Sequence, residues 1–86
     1  MLHPAVVLYA LSTCIHCRHT REYLEKNNID FTCTYVDKLA GDEREAALEK
    51  IRAVNPRLSF PTMIIGPGDT VVVGFNPEAI QEALSS

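Results

Sequence analysis

The chain has 86 residues, of which 47% are hydrophobic and 22% charged, and its formal net charge is −3. This length and composition are typical of one soluble domain with a thin core, and the acidic balance argues against nucleic acid or an anionic membrane surface as a partner. No stretch approaches the roughly 20 apolar residues of a membrane span, and Met1–Tyr9 lacks the layout of a signal peptide. We therefore expect a cytoplasmic protein. We also expect a single domain over residues 1–86 and a monomer.

The first half of the chain has the pattern of a strand, a helix and a second strand. Ala5–Ala10 is a nearly continuous apolar run, which is typical of a strand buried on both faces. Ser12 and Thr13 are good N-caps for a helix from about Cys14 to Lys26. Phe31–Val36 alternates and is rich in aromatic and β-branched residues, so it predicts a strand. Such a strand–helix–strand unit implies that the two strands pair in parallel.

The second half predicts a helix, two strands and a last helix. Asp42 with Glu45 resembles a capping box, and the helix they begin ends before Asn55-Pro56, because proline cannot continue it. Asn76 is suited to cap the last helix. The predicted elements of this half are a helix over about 42–54, strands over Thr62–Ile65 and Thr70–Val73 joined by a turn over residues 66–69, and a helix that begins at Pro77.

Cys14-Ile15-His16-Cys17 lies where the first strand gives way to the first helix. On one helical turn the two sulfurs can form a small disulfide ring, and the leading cysteine lies at the positive helix end, where a thiolate is stabilised. A protonated His16 would stabilise it further. The same spacing is half of a zinc site, but the later pair of cysteines or histidines is missing. The motif therefore favours dithiol–disulfide exchange, with Cys14 attacking and Cys17 resolving.

Three further features accompany the two cysteines. In Phe60-Pro61-Thr62, proline stands directly before an apolar strand, where its peptide bond is either cis or an ordinary trans bond at a strand edge. In Gly74-Phe75-Asn76-Pro77-Glu78, glycine allows close approach of a ligand and the helix start can receive a carboxylate. The same five residues also suit a strand end followed by a helix cap. Cys33 alternates with aromatic residues on a strand, which favours a place in the core.

The element order βαβαββα, with Cys-x-x-Cys after the first strand, resembles the thioredoxin fold and, within it, the glutaredoxin family. The resemblance implies an α/β, three-layer fold with a four-stranded mixed sheet flanked by three helices. It also implies a dithiol–disulfide oxidoreductase in which Pro61 is cis and the backbone of Phe60 meets an extended substrate. Carried onto this chain, the substrate-binding residues are Thr13, His16, Phe60, Pro61, Gly74, Phe75 and Asn76.

The resemblance also implies partners. Gly-Phe-x-Pro-acidic at Gly74–Glu78 is similar to the glutaredoxin-like redoxins that serve ribonucleotide reductase, which thioredoxin reductase reduces. The expected partners are therefore disulfide-containing proteins, with thioredoxin reductase or glutathione as the electron donor; no cofactor is bound, and glutathione enters only as a co-substrate. The alternative is an iron–sulfur cluster or metal carrier that uses Cys14 in a thiol-bridged dimer: the cluster would lie between two subunits, and recruited thiols such as glutathione would complete its ligands.

Overall fold

The strands and helices follow one another along the chain in the predicted order βαβαββα. The structure is a computed structural model that describes residues 5–66 and 70–85; the predicted turn after Gly66 lies outside those residues. Within them, no helix is long and apolar enough to cross a membrane. The elements are β1 Val6–Ala10, α1 Ile15–Lys26, β2 Thr32–Tyr35, a 3-10 turn Val36–Lys38, α2 Gly41–Val54, β3 Thr62–Ile65, β4 Thr70–Val73 and α3 Pro77–Ser85.

The four strands form one mixed sheet in the order β2-β1-β3-β4. β1 is parallel to β2 and antiparallel to β3, and β3 is antiparallel to β4. Ala10 pairs with Tyr35, and Thr62 pairs with both Tyr9 and Val73. The carboxyl ends of β1, β2 and β4 therefore meet the amino end of β3 at one edge of the sheet, which we call the dithiol edge.

Alternating side chains of the strands build a core on each face of the sheet. Leu8 and Met63 face α1 and α3, where they join Leu24 and Ile80 in one buried cluster. Tyr9 belongs to a second cluster, with two further members from α2, Ala47 and Ile51. These clusters make three layers, with α1 and α3 on one face and α2 on the other. The thioredoxin-like α/β fold class predicted from the sequence is confirmed.

The start of α1 differs from the prediction. Cys14, and not Ser12 or Thr13, is the N-cap residue, with extended backbone angles of φ −90° and ψ 121°. Its sulfur accepts a hydrogen bond from the backbone N–H of Cys17. The Ser12 side chain points instead to Asp37, to which its hydroxyl donates a hydrogen bond.

The capping box predicted for α2 was wrong. The helix begins at Gly41, and the N-cap residue is Ala40, which makes no side-chain capping hydrogen bond. Asp42 lies inside the first turn, where its carboxylate interacts favourably with the helix dipole instead of capping a backbone N–H. The predicted end of this helix before Asn55 is confirmed.

Candidate active site

Cys14 is a half-buried thiol at the start of α1. Its sulfur lies 3.4 Å from the backbone nitrogen of Cys17. Burial works against its ionisation, but hydrogen bonds from the Cys17 thiol and from the backbone N–H groups of Cys17 and His16 outweigh burial, so the pKa of Cys14 lies below its ordinary value. A lowered pKa raises the fraction of thiolate, which is the nucleophilic form of cysteine.

Cys17 lies one turn further into the helix and is only 2% exposed. Its sulfur accepts a hydrogen bond from the backbone N–H of Leu11 at 3.4 Å. Burial is the largest cause that raises the pKa of Cys17 to about 12; the Leu11 hydrogen bond opposes it, and the neighbouring Cys14 adds to it. The two thiols therefore differ in both exposure and acidity: the pKa of Cys14 is lowered, whereas that of Cys17 is raised.

The other two residues of the predicted site near the dithiol, Thr13 and His16, are both exposed. Thr13 lies in the turn before the N-cap, and His16 lies in the first turn of α1. The backbone of His16 contributes to the lowered pKa of Cys14.

Phe60 and Pro61 lie at the dithiol edge, directly before β3. The peptide bond between them is cis, which confirms the cis alternative. Pro61 is fully buried, and Phe60 is half-buried and packs against both cores. The antiparallel pairing of β3 with β1 places this segment beside the chain that leads to Cys14.

A polar network centred on the buried side chains of Asn55 and Thr62 holds the segment that precedes Pro61. The side-chain amide of Asn55 donates to the Thr62 hydroxyl at 3.0 Å and to the Ser59 hydroxyl at 3.1 Å. The Thr62 hydroxyl in turn donates to the carbonyl of Ser59 at 2.7 Å. Between these residues Leu58 has a positive φ of 53°. These bonds fix the path of the chain from α2 to Pro61, and so set where Phe60 lies.

Gly74, Phe75 and Asn76 connect β4 to α3 at the same edge. Gly74 has a φ of +80°, and a Cβ placed there would meet no atom within 4 Å. The conformation, and not crowding, therefore accounts for glycine at this position. The side chain of Asn76 accepts the backbone N–H of Ala79 at 3.2 Å, which confirms the predicted cap.

The dithiol edge carries exposed apolar side chains. Ile15 is 48% exposed, Val73 44% and Phe75 38%. The Phe75 ring lies 5.9 Å from the ring of His19 and 6.1 Å from that of Tyr23, both on α1. The surface around the dithiol is therefore suited to contact an apolar partner surface.

Cys33 lies on β2 and is half-buried against the core that contains Cys17. Burial is the main cause that raises its pKa, while Tyr35 and Arg21 oppose the rise. Arg21 of α1 donates a hydrogen bond to the Tyr35 hydroxyl at 2.6 Å. This placement agrees with the predicted core role.

Within residues 5–66 and 70–85, no group of three or more His, Cys, Asp or Glu residues is placed to hold a metal ion.

Sequence reasoning missed Asn55 and Asp37, which both support the site. In the sequence, Asn55 only follows the helix end that Pro56 predicts, and that pattern carries no sign of its hydrogen bonds. A signal for Asp37 did exist. Ala10 and Tyr35 are the last pair of β1 and β2, and Ser12 and Asp37 each follow by two residues, so parallel pairing brings the two polar side chains together.

Comparison with known proteins places the chain in a family. A sequence model of the glutaredoxin family matches residues 6–71. An uncharacterised glutaredoxin-like 8.6 kDa protein in the rubredoxin operon of Clostridium pasteurianum is 32% identical over 79 residues, which cover 92% of this chain and 96% of that protein. With its dithiol at the head of α1 and its thioredoxin-like fold, the chain is a thiol–disulfide oxidoreductase. It belongs to the glutaredoxin family.

Two solved structures extend the likeness to the fold. The glutaredoxin of Methanosarcina mazei Go1 is 43% identical, with a TM-score of 0.89 over 95% of this chain and 79% of that one. The NrdH-redoxin of Escherichia coli, a glutaredoxin-like protein with a thioredoxin-like activity profile, is 31% identical, with a TM-score of 0.72 over 91% of this chain and 92% of that one.

Proposed function

We propose that Cys14 is the nucleophile of a dithiol reductase and that Cys17 is its resolving cysteine. The single observation that carries this assignment is the asymmetry of the two thiols. The sulfur of Cys14 is partly accessible and has a lowered pKa, whereas the sulfur of Cys17 is buried and has a raised pKa. Attack requires an accessible thiolate, so Cys14 is suited to meet the target and Cys17 to act afterwards.

The exchange takes place in two steps. The thiolate of Cys14 attacks one sulfur of the target disulfide, a mixed disulfide forms, and the other target sulfur leaves as a thiolate. Cys17 then loses its proton and attacks the sulfur of Cys14, and the remaining target sulfur leaves and takes up a proton. The target gains two electrons, and the Cys14–Cys17 pair loses them as its disulfide forms.

The second step needs a proton to leave Cys17, and the first step helps to release it. In the reduced protein the thiol of Cys17 donates a hydrogen bond to Cys14, and this bond and the charge of Cys14 both raise the pKa of Cys17. In the mixed disulfide that negative charge has gone. The pKa of Cys17 then falls, which favours formation of the resolving thiolate once the target is bound.

The substrates that we infer are disulfides in proteins. Support comes from the exposed apolar side chains around the dithiol, Ile15, Val73 and Phe75, because a protein target can cover them with apolar surface of its own. In this proposal the target chain lies extended beside Phe60 and meets its backbone, as in β-strand addition. Thr13, His16 and Pro61 would border the same chain.

We propose thioredoxin reductase, and not glutathione, as the electron donor. A glutathione carboxylate would bind free N–H groups at the start of α3, which are few here: Pro77 has no N–H, and the N–H of Ala79 already bonds to the Asn76 side chain. The thioredoxin-like activity profile of the Escherichia coli redoxin, which is 31% identical, also supports this choice. Gly74 and Phe75, which precede the cap, would then contact a protein partner.

The test offers the oxidised protein to two reducing systems. One contains NADPH and thioredoxin reductase, and the other NADPH, glutathione and glutathione reductase; oxidation of NADPH is followed with insulin as the protein disulfide. We expect the first system to support turnover much faster than the second. Cys14→Ser is the control that must abolish turnover in both. Faster reduction by glutathione would contradict the proposed donor, and no turnover in either system would contradict the proposed reductase function.

A further inference from the structure

The loop Leu11–Thr13, which joins β1 to the N-cap of α1, is fastened to a residue far away in the sequence. Ser12 donates its backbone N–H to one carboxylate oxygen of Asp37 at 2.9 Å and its hydroxyl to the other. Asp37 lies in the 3-10 turn that follows β2. One carboxylate thus accepts both hydrogen bonds that Ser12 can donate. Hydrogen bonds to an ionised acceptor are roughly twice as strong as neutral ones.

The neighbours of Ser12 contact both cysteines. The carbonyl of Leu11 accepts the backbone N–H of Cys14 at 3.2 Å. The N–H of Leu11 lies 3.4 Å from the sulfur of Cys17, to which it donates. Movement of the loop would therefore alter the surroundings of both thiols, and the bonds to Asp37 oppose that movement.

We propose that Asp37 is a positioning residue for the dithiol. It acts through Ser12 and the loop Leu11–Thr13 without touching either sulfur. This inference rests on the proposed function, since it takes the thiolate of Cys14 as the reacting species. The hydrogen bonds from Ser12 hold the pKa of Asp37 below its ordinary value, and Lys38 adds to this effect. The carboxylate is consequently ionised at neutral pH, where these bonds are charge-assisted.

The charge of Asp37 and its hydrogen bonds have opposite effects on the pKa of Cys14. The negative charge of Asp37 by itself would disfavour a nearby thiolate, so removal of that charge would lower the pKa of Cys14. Loss of the hydrogen bonds would instead loosen the loop and weaken the bonds that stabilise the Cys14 thiolate, which would raise its pKa. Ser12→Ala separates the two effects, because it removes the hydroxyl bond and leaves the charge of Asp37 in place.

The experiment titrates the thiolate of Cys14 by ultraviolet absorbance in the reduced full-length protein. The variants are Ser12→Ala, Ser12→Thr, Asp37→Asn and Asp30→Asn. We expect the midpoint to rise by about half a pH unit in Ser12→Ala, the scale of one weakened hydrogen bond, and to rise in Asp37→Asn as well. Ser12→Thr keeps the hydroxyl and restores the wild-type midpoint. Asp30→Asn makes the same charge change before β2, at the opposite edge of the sheet, and leaves the midpoint unchanged.

An unchanged or lower midpoint in Ser12→Ala would overturn the positioning role, because that variant removes a hydrogen bond and leaves the charge of Asp37 in place. Far-ultraviolet circular dichroism checks that each variant is folded. If Asp37→Asn does not fold, Ser12→Ala and Ser12→Thr still test whether Asp37 positions the dithiol. Failure of the proposed function is a separate result: wild-type protein would then form no mixed disulfide with a protein substrate, whatever the midpoints of the variants.

Discussion

The backbone N–H of Gly74 donates a hydrogen bond to the carbonyl of Pro61 at 2.9 Å. This bond adds one step to the β3–β4 ladder beyond the pair of Thr62 and Val73. It places the segment Gly74–Asn76 directly beside the segment that contains Phe60. A backbone hydrogen bond thus joins two stretches of chain that we propose to contact the substrate or a protein partner.

Replacement of Gly74 by alanine tests the conformational need for glycine. Because φ is +80° and no atom lies within 4 Å of the added Cβ, we expect Gly74→Ala to lower the free energy of unfolding by about 1–2 kcal/mol through backbone strain alone. Urea denaturation measures this loss. Gly66→Ala is the matched control, because the backbone there is not left-handed and the nearest atom is 3.9 Å from the added Cβ. An equal loss in both variants would contradict the explanation.

Asn55→Ala removes the centre of the polar network before Pro61. Two hydroxyl groups, of Ser59 and Thr62, lose a hydrogen-bond donor, and we expect a loss of about 1–3 kcal/mol in the free energy of unfolding. Asn27→Ala is the control: its amide also donates one hydrogen bond, to Tyr23, but at an exposed site. Chemical denaturation of both variants compares the two losses. If Asn27→Ala costs as much as Asn55→Ala, burial of Asn55 does not explain its contribution.

The order of attack by the two cysteines can be read from trapped intermediates. Cys17→Ser leaves the nucleophile without its resolving partner, so we expect a stable mixed disulfide between Cys14 and a protein substrate. Mass spectrometry after non-reducing separation detects it. Cys14→Ser should form none, and Cys33→Ser should turn over at close to the wild-type rate. Accumulation through Cys17 in the Cys14→Ser variant would reverse the proposed roles.

Stability of the reduced protein at alkaline pH follows from the raised pKa of Cys17. The folded protein holds that proton up to a pKa of about 12, whereas the unfolded chain releases it near the ordinary value of 9.0. Between these values the unfolded state binds fewer protons, so the free energy of unfolding falls as pH rises above 9, by at most about 1.4 kcal/mol per pH unit from this group.

Cys17→Ala removes this contribution, and its urea-unfolding profile should decline less steeply above pH 9 than that of the reduced wild type. Cys33, whose pKa is also raised, remains in both proteins and contributes equally to both profiles. Parallel profiles for the wild type and the variant would show that Cys17 does not hold its proton in the folded state.

The sequence predicted the architecture because the apolar periodicity, the prolines and the asparagine cap all indicated the same elements. The strands Thr62–Ile65 and Thr70–Val73 have the predicted bounds, and α3 begins at Pro77 as expected. The end of the second strand was less well defined: Val36 suits a strand by type, but it begins the 3-10 turn and packs in the core beneath α2. Tertiary packing overrides propensity there.

Details of the site depended on contacts between distant parts of the chain. Ser12 has the chemistry of an N-cap, yet its side chain bonds to Asp37 and Cys14 is the N-cap residue. No local pattern indicates this contact, because Asp37 lies 25 residues away from Ser12. The cysteine spacing, by contrast, required only one helical turn, so the placement of Cys14 and Cys17 followed directly from their positions in the sequence.

One sulfur both caps α1 and, in our proposal, reacts. When Cys14 enters a disulfide its negative charge disappears, and the backbone N–H of Cys17 loses a strong acceptor. The amide proton of Cys17 is thereby an internal probe of the redox state: we expect its resonance to move upfield and its exchange with solvent to quicken on oxidation, while amides near the end of α1 stay unchanged. Each catalytic cycle would thus loosen and restore the first helical turn.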